Sequence, residues 1–362
     1  MKQAKKILVC LSGGVDSSVS AALLLDQGYE VTGAYMKQWS DGKDISGVCS
    51  WKQDRRDAMR VAAKLEIPFV TLDFEKAYKE WVMGYMFEQY EKGKTPNPDV
   101  MCNKFIKFDA WLQKAMEMGF DAMATGHYAA VEDGKLLMAK DENKDQTYFL
   151  HQVTSEQLRH VLFPLGGYTK DEVRKLAQKF DLPNADREES MGICFVGEIP
   201  INEFLQQKIK KNVGIVRLSS GEEIGEHEGL AFYTIGQRHA KIRGLKSKIV
   251  SQLGGGDNTK PLFVLKKDFE RNELIVGFDD DPLIHTQEVF LENVHWISGQ
   301  RPDFPLECRV RLRHRQELQE CLISEVDGAV LLKFDHSQRS VTPGQFAVLY
   351  TSDECLGGGE IV

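Results

Sequence analysis

The chain has 362 residues, 42% of them hydrophobic and 28% charged, with a formal net charge of −8. That length exceeds one compact core and predicts two or three domains, and no apolar run reaches the ~20 residues needed to cross a membrane. Seven cysteines, at 10, 49, 102, 194, 308, 321 and 355, are scattered without a C-x-x-C pair, which argues against a disulfide framework or zinc ribbon; with no room for a signal peptide before the first strand, a cytoplasmic protein with reduced thiols is expected.

Residues 7–11 read as a buried strand and residues 18–25 as a helix. Between them lies Ser12-Gly13-Gly14-Val15-Asp16-Ser17-Ser18. A strand-to-helix turn presents unpaired N–H groups and the positive end of a helix dipole, so it is an anion site. Gly13 and Gly14 let backbone approach a phosphate, and the serines bring hydroxyl donors. Asp16 repels phosphate, so it is expected either beside Mg²⁺ or as a partner that holds the loop. The loop lacks the Lys of a P-loop and the spacing of a dinucleotide fold. It resembles the SGGxDS loop of ATP pyrophosphatases, which split ATP between the α and β phosphates.

Strands are expected at 29–36, 68–72 and 121–127, and helices at 53–65, 74–89 and 101–118. This alternation predicts a doubly wound parallel sheet, with ligands at the carboxyl ends of its strands. A hairpin is expected at Asp133-Gly134, and helices at 155–161 and 169–180, the second opened by a Thr169/Glu172 capping box. Beyond about residue 200 the texture changes to short strands, with hairpins expected at Ser220-Gly221, Asp327-Gly328 and Pro343-Gly344 and a loop at 254–258. The fold class is therefore α/β: an N-terminal Rossmann-like domain (1–200), a small central module (201–280) and a C-terminal β-barrel (281–362).

Three basic groups stand out against the acidic total: Lys208, Lys210, Lys211 and Arg217; Arg238, Lys241, Arg243, Lys246 and Lys248; and Arg309, Arg311, Arg313 and Arg315. The last four alternate, which on a strand puts them on one face. Such stripes bind a phosphate backbone in spite of an acidic whole. Cys102 follows the rigid Asn97-Pro98-Asp99 turn and is expected in the first turn of a helix, where thiolate is stabilised. Cys194 sits in the glycine-bracketed loop 192–197. For Cys10, Cys49, Cys308, Cys321 and Cys355 an inert apolar role is expected.

Eight segments in order resemble the bacterial tRNA-specific 2-thiouridylases: SGGVDSS at 12–18, NPDVMCNKFIKF at 97–108, ATGHYA at 124–129, KDQTYFL at 144–150, GICFVGE at 192–198, YTIGQR at 233–238, RHRQ at 313–316 and LGGG at 356–359. The resemblance implies an enzyme that activates the 2-oxygen of a wobble uridine with ATP and Mg²⁺, then replaces it with sulfur. It implies that Cys194 carries a persulfide from an upstream donor protein, that Cys102 is its thiol partner, and that Asp99 is the acid/base. By the same resemblance Cys10, Leu11, Ser12, Gly13, Gly14, Val15, Asp16, Ser17, Met36 and Gly126 hold the nucleotide. Asn97, Pro98, Asp99, Lys144, Asp145, Gln146, Arg313 and His314 contact the tRNA anticodon loop. Two positions depart from the family pattern: Met191 stands where a Thr is usual, and His314 where a Tyr is common. The segment 38–50 is the candidate for ordering when tRNA docks.

Three other readings compete with this one. An iron–sulfur cluster on Cys102 and Cys194 lacks a local third thiolate. A carboxylate-activating synthetase would need the loop but neither the cysteines nor the basic barrel. A non-catalytic RNA-binding protein would bind tRNA without consuming ATP.

Overall fold

The computed structural model describes residues 4–38, 50–188, 201–238, 242–245 and 260–362. The loop around Cys194, Cys49, the lysines at 241, 246 and 248, the expected loop at 254–258 and all of the candidate segment 38–50 but its two end residues lie outside the described residues.

The first sheet is fully parallel. Its strands are β1 (Lys6–Cys10), β2 (Glu30–Lys37), β3 (Phe69–Asp73), β4 (Ala122–Ala124) and, after a hairpin of β5 (Ala130–Glu132) and β6 (Lys135–Leu137), β7 (Val161–Leu162). Their order is β3-β2-β1-β4-β7. Chain direction across the sheet reverses between β1 and β4, the topological switch point where open α/β sheets bind ligands.

The run Ile7-Leu8-Val9-Cys10 is apolar throughout because both faces of β1 are covered. Ile7 and Val9 pack with Ala21 and Leu24 of helix α1 (Val15–Asp26) and with Ala58, Val61 and Ala62 of α2 (Ser50–Lys64). Leu8 and Cys10 face the other way, toward a core containing Tyr78, Val82, Met86, Val100, Cys102, Ile106 and Phe108. At about 1.5–3 kcal/mol per fully buried large side chain, these two layers hold the sheet. The helical run carrying Cys102 is built in three parts, Pro98–Met101, a π-helical stretch Cys102–Trp111, and Leu112–Glu117.

The Thr169/Glu172 capping box forms as expected, and Asp133 and Gly134 both take positive φ in a tight hairpin. The middle sheet contains β8 (Gly214–Leu218), β9 (Glu223–His227), β10 (Phe263–Asp268) and β11 (Glu273–Gly277), in the order β10-β11-β8-β9. Six strands then follow: β12 (His285–Trp296), β13 (Leu306–Arg311), β14 (Gln319–Val326), β15 (Ala329–Arg339), β16 (Phe346–Thr351) and β17 (Glu354–Ile361). Their order β12-β15-β14-β13-β16-β17 closes through a β12–β17 pairing, making a barrel. The hairpin β5–β6 adds to the barrel, with Leu137 opposite Glu354 and Leu136 opposite Cys355.

Two expectations fail. Pro343-Gly344 is not a hairpin, because β15 pairs with β12 and β14 and never with β16. The four alternating arginines do not share a strand face, because β13 ends at Arg311 and the chain turns through Arg315 at φ +64°. The central basic cluster is also partly spent on ion pairs, Arg217 with Glu273 at 2.8 Å and Lys211 with Glu228 at 3.0 Å. No helix among the described residues is long and apolar enough to cross a membrane.

Candidate active site

The Ser12–Ser18 loop closes on itself. The hydroxyls of Ser17 and Ser18 donate to the Gly14 carbonyl at 3.1 and 2.8 Å. The Ser12 amide donates to Ser17 Oγ at 3.2 Å, and the Gly14 amide to Ser12 Oγ at 3.3 Å. The serine hydroxyls thus shape the turn, and the anion site rests on the N–H groups of the first turn of α1. Gly13 sits at φ +85°, with Asp54 O only 2.5 Å from where a Cβ would lie. Asn184 Nδ2 donates to Gly13 O at 2.8 Å and to Ser18 Oγ at 3.0 Å. Arg187 donates to the same carbonyl at 3.1 Å and pairs with Asp54 and Asp57.

Asp16 accepts from Lys170 Nζ at 2.6 Å and from the Tyr128 hydroxyl at 3.0 Å. Of its two expected roles, this geometry fits the loop-holding one. Lys170 also offsets the charge that would repel phosphate. Among the described residues no group of three or more His, Cys, Asp or Glu is placed to hold a metal ion. Leu11 anchors to β2 through its amide and Ala34 O at 2.8 Å. Met36 lies half-buried near the end of β2, and Val15 is buried. Burial pushes the Cys10 thiol up, so it stays protonated and only its main chain is left to meet a ligand.

Gly126 follows β4 and abuts this loop. A Cβ there would lie 2.7 Å from the Ser17 amide nitrogen and 3.0 Å from Asp16 C. Backbone cannot yield as a flexible side chain can, so Gly126→Ala should cost about 1–3 kcal/mol. Gly167 has nothing within 4 Å of its would-be Cβ. Denaturant titration should therefore show a lowered midpoint for Gly126→Ala and an unchanged one for Gly167→Ala; equal midpoints would contradict the close approach.

The second part of the site is the turn before Cys102. Asn97 caps the short helix, its Oδ1 accepting from the Val100 amide at 3.4 Å, and Pro98 occupies the first helical position. Asn97 Oδ1 is thus engaged as a cap. Asp99 is half-buried; burial raises its carboxyl above the ordinary range, and nearby Lys107 opposes that shift. Cys102 is buried and opens the second turn of the run, not the first as expected, so the dipole acts on it only weakly. The barrel fixes this turn from outside. The Thr95 amide donates to Pro343 O at 2.9 Å, and Gln345 Nε2 to Thr95 O at 2.7 Å. Here lies the role of the Pro343-Gly344 turn.

The segment 144–146 joins the barrel to the loop. Asp145 is fully buried and accepts from Arg311 Nη1 at 2.6 Å, Thr147 Oγ1 at 2.7 Å and the Ala139 amide at 3.1 Å. Its carboxylate is thus spent as an internal buttress, and the side chain is not free for the expected tRNA contact. Gln146 brackets Tyr128, accepting from its amide and donating its own amide to its carbonyl, both at 2.9 Å. Tyr128 then reaches Asp16. His314 is half-buried against Phe149, ring centroids 4.5 Å apart. Burial, helped by Arg315, Arg311 and Lys144, pushes it down to about 4, so it is neutral at pH 7. Arg313 is exposed and Lys144 half-buried, the latter close enough to His314 to act on it electrostatically.

Several residues escaped the sequence reading: Lys170, Tyr128, Asn184, Gln345 and Lys107. Lys107 Nζ lies 3.4 Å from His127 Nε2, and His127 Nδ1 lies 2.7 Å from Thr125 Oγ1. The capping box at Thr169 was a signal that position 170 starts a helix, but nothing local ties it to Asp16, 154 residues away.

Residues 5–198 match the family described as tRNA methyl transferase HUP domain, 202–278 a tRNA methyl transferase PRC-barrel domain, and 286–361 an aminomethyltransferase beta-barrel domain. A relative in Shouchella clausii named tRNA-specific 2-thiouridylase MnmA is 44% identical over 98% of this chain and 96% of its own length. One of the same name in Methylobacillus flagellatus is 44% identical over 99% of this chain and 98% of its own. A solved 4-thiouridine synthetase–RNA complex with bound ATP matches 56% of this chain and 50% of its own at 18% identity and a TM-score of 0.36, too slight a likeness to argue from. With relatives this similar over nearly the whole length, the chain belongs to the family of tRNA-specific 2-thiouridylases.

Proposed function

We propose that this protein is a tRNA-uridine 2-sulfurtransferase that adenylates the 2-oxygen of a wobble uridine and then displaces it with sulfur. The observation that carries the reading is one turn of the anion-binding type, Ser12–Ser17, together with one buried thiol and one half-buried carboxylate on the rigid turn Asn97–Cys102, with Cys10, just before the first turn, and Cys102 in one core. Methyl transfer, the chemistry in the family descriptions, does not call for the splitting of a triphosphate at such a turn.

The turn supports ATP as the phosphate donor, with Cys10, Leu11 and the loop N–H groups at the phosphates and Met36 and Gly126 beside the nucleoside. Mg²⁺ would enter with the triphosphate, whose oxygens supply ligands. Asp99 takes the N3 proton of the uracil as the 2-oxygen attacks the α-phosphorus. The new bond is O2–P, the bond broken is the α–β bridge, and pyrophosphate leaves. Burial suits Asp99 to this task, since a carboxylate whose pKa is raised above its ordinary range is the stronger base.

Sulfur then arrives as a persulfide on Cys194, loaded by an upstream donor protein. Its terminal sulfur adds to C2 and AMP departs with the oxygen. Cys102 thiolate attacks Cys194 and the sulfur–sulfur bond breaks, leaving a Cys102–Cys194 disulfide that an external reductant resets. In the second route Cys102 frees sulfide first; both routes need the two thiols. A wobble base is read splayed from a single-stranded loop. Lys144, Arg313 and His314 offer charge and a ring for that loop, while Asn97 and Pro98 flank the base. We propose the labour to be divided as activation and sulfur transfer in residues 1–200, a linking module in 201–280 and the tRNA-gripping barrel in 281–362, in the cytoplasm. The test is pyrophosphate release in the presence of ATP, Mg²⁺ and unmodified tRNA. Release that requires tRNA is expected; its absence would contradict the adenylation step.

A further inference from the structure

Lys107 stands where the two halves of the site meet. Its ammonium points at His127 Nε2, 3.4 Å away. An ammonium has donors only, so Nε2 must accept, and the ring proton sits on Nδ1, donated to Thr125 Oγ1 at 2.7 Å. Phe108 and Phe163 flank the imidazole at 5.8 and 6.1 Å between centroids and hold its plane. His127 follows Gly126, whose backbone touches the first turn of α1. The same ammonium acts electrostatically on both Asp99 and Cys10, the last residue of β1.

The local winding explains how this residue reaches that spot. Five residues along an α-helix turn a side chain about 140° away. The stretch Cys102–Trp111 is π-helical, with i→i+5 pairing, so position 107 returns about one turn above position 102. A π-helical stretch costs hydrogen-bond quality, and such stretches gather at functional sites. Burial and the neighbouring ammonium both lower the His127 pKa well below its ordinary value, so the imidazole stays neutral and positions Lys107 without adding charge.

We infer that Lys107 is a further catalytic residue of the adenylation step: its ammonium, oriented by neutral His127, faces the 2-oxygen of the target uridine as that oxygen attacks the α-phosphorus. When Asp99 takes the N3 proton, negative charge spreads over N3 and the carbonyl oxygens, O2 among them. As the O2–P bond forms and the α–β bridge breaks, charge passes to the phosphoryl oxygens and pyrophosphate. A cation held by His127, whose neighbour Gly126 abuts the phosphate turn, and close enough to act on Asp99, meets both charges without moving. The inference rests on the adenylation reading above.

The test is the steady-state rate of tRNA-dependent pyrophosphate release, with tRNA affinity and thermal melting measured alongside. Lys107→Met should lower kcat about 10²–10³-fold, the usual loss when a preorganised charge is removed from a developing anion, with tRNA affinity and melting unchanged. Lys107→Arg should regain part of the rate. If Lys107→Met does not fold, Lys107→Gln carries the test, since its amide still donates to His127 Nε2 without the charge. A wild-type rate in a folded uncharged variant, or a loss confined to tRNA affinity, would overturn the inference and leave the adenylation reading standing. Wild-type protein that releases no pyrophosphate with tRNA would overturn that reading itself.

Discussion

Arg311→Met is expected to destabilise the protein by about 3–5 kcal/mol, the cost of stranding a buried charge. Arg311 and Asp145 have side chains only 7% and 0% exposed and meet at 2.6 Å. The carboxylate also holds Thr147 and the Ala139 amide, so it cannot swing out to water. Arg311 belongs to the barrel and Asp145 to the segment that brackets Tyr128, so the pair clamps the barrel to the loop-bearing sheet. Chemical denaturation should show the lowered midpoint, and a second substitution, Asp145→Asn, should recover part of it. The exposed Arg313 makes the contrast. Arg313→Ala should leave the midpoint alone, weaken tRNA binding and flatten its salt dependence by about one counterion. If Arg311→Met weakens tRNA binding while its midpoint stays at the wild-type value, the clamp is wrongly assigned.

Cys194→Ala should abolish thiolation while leaving tRNA-dependent pyrophosphate release intact, because activation precedes sulfur transfer. Cys102→Ala should likewise retain pyrophosphate release and lose turnover of sulfur. Loss of both activities in either variant would move that cysteine into the activation step. A disulfide trapped during turnover must be mapped by peptide mass, because the barrel holds another close pair. Cys308 and Cys321 sit directly opposite on β13 and β14, their sulfurs 3.6 Å apart. The proposal requires the Cys102–Cys194 linkage to appear with substrate and to vanish in either alanine variant, whatever the barrel pair does.

The parts of this molecule that were legible in its sequence are those governed by near neighbours. An apolar run covered on both faces, two glycines and a helix start identify β1, the turn and α1. Asp133-Gly134 and Asp327-Gly328 identify hairpins because both positions take positive φ there. Turn chemistry at Pro343-Gly344 is equally strong, but it does not say which strand pairs with which. Closing the barrel sends β16 to β13 and turns Pro343–Gln345 toward Thr95. The arginine alternation misled for a similar reason. Period-two spacing assigns a face only while the strand lasts, and β13 stops at Arg311. Arg311 is claimed by a carboxylate 166 positions earlier, and Asp16 by a lysine 154 positions later; no local pattern announces such pairs. The π-helical winding that brings Lys107 round has no local signal in the sequence either.

The most direct test of the account is mass analysis of the nucleosides of unmodified tRNA after incubation with this protein, ATP, Mg²⁺ and a persulfide source. The account predicts that the wobble uridine gains the mass difference of one sulfur for one oxygen, with AMP and pyrophosphate formed in step with it. A wobble uridine of unchanged mass, while ATP is consumed, would contradict it.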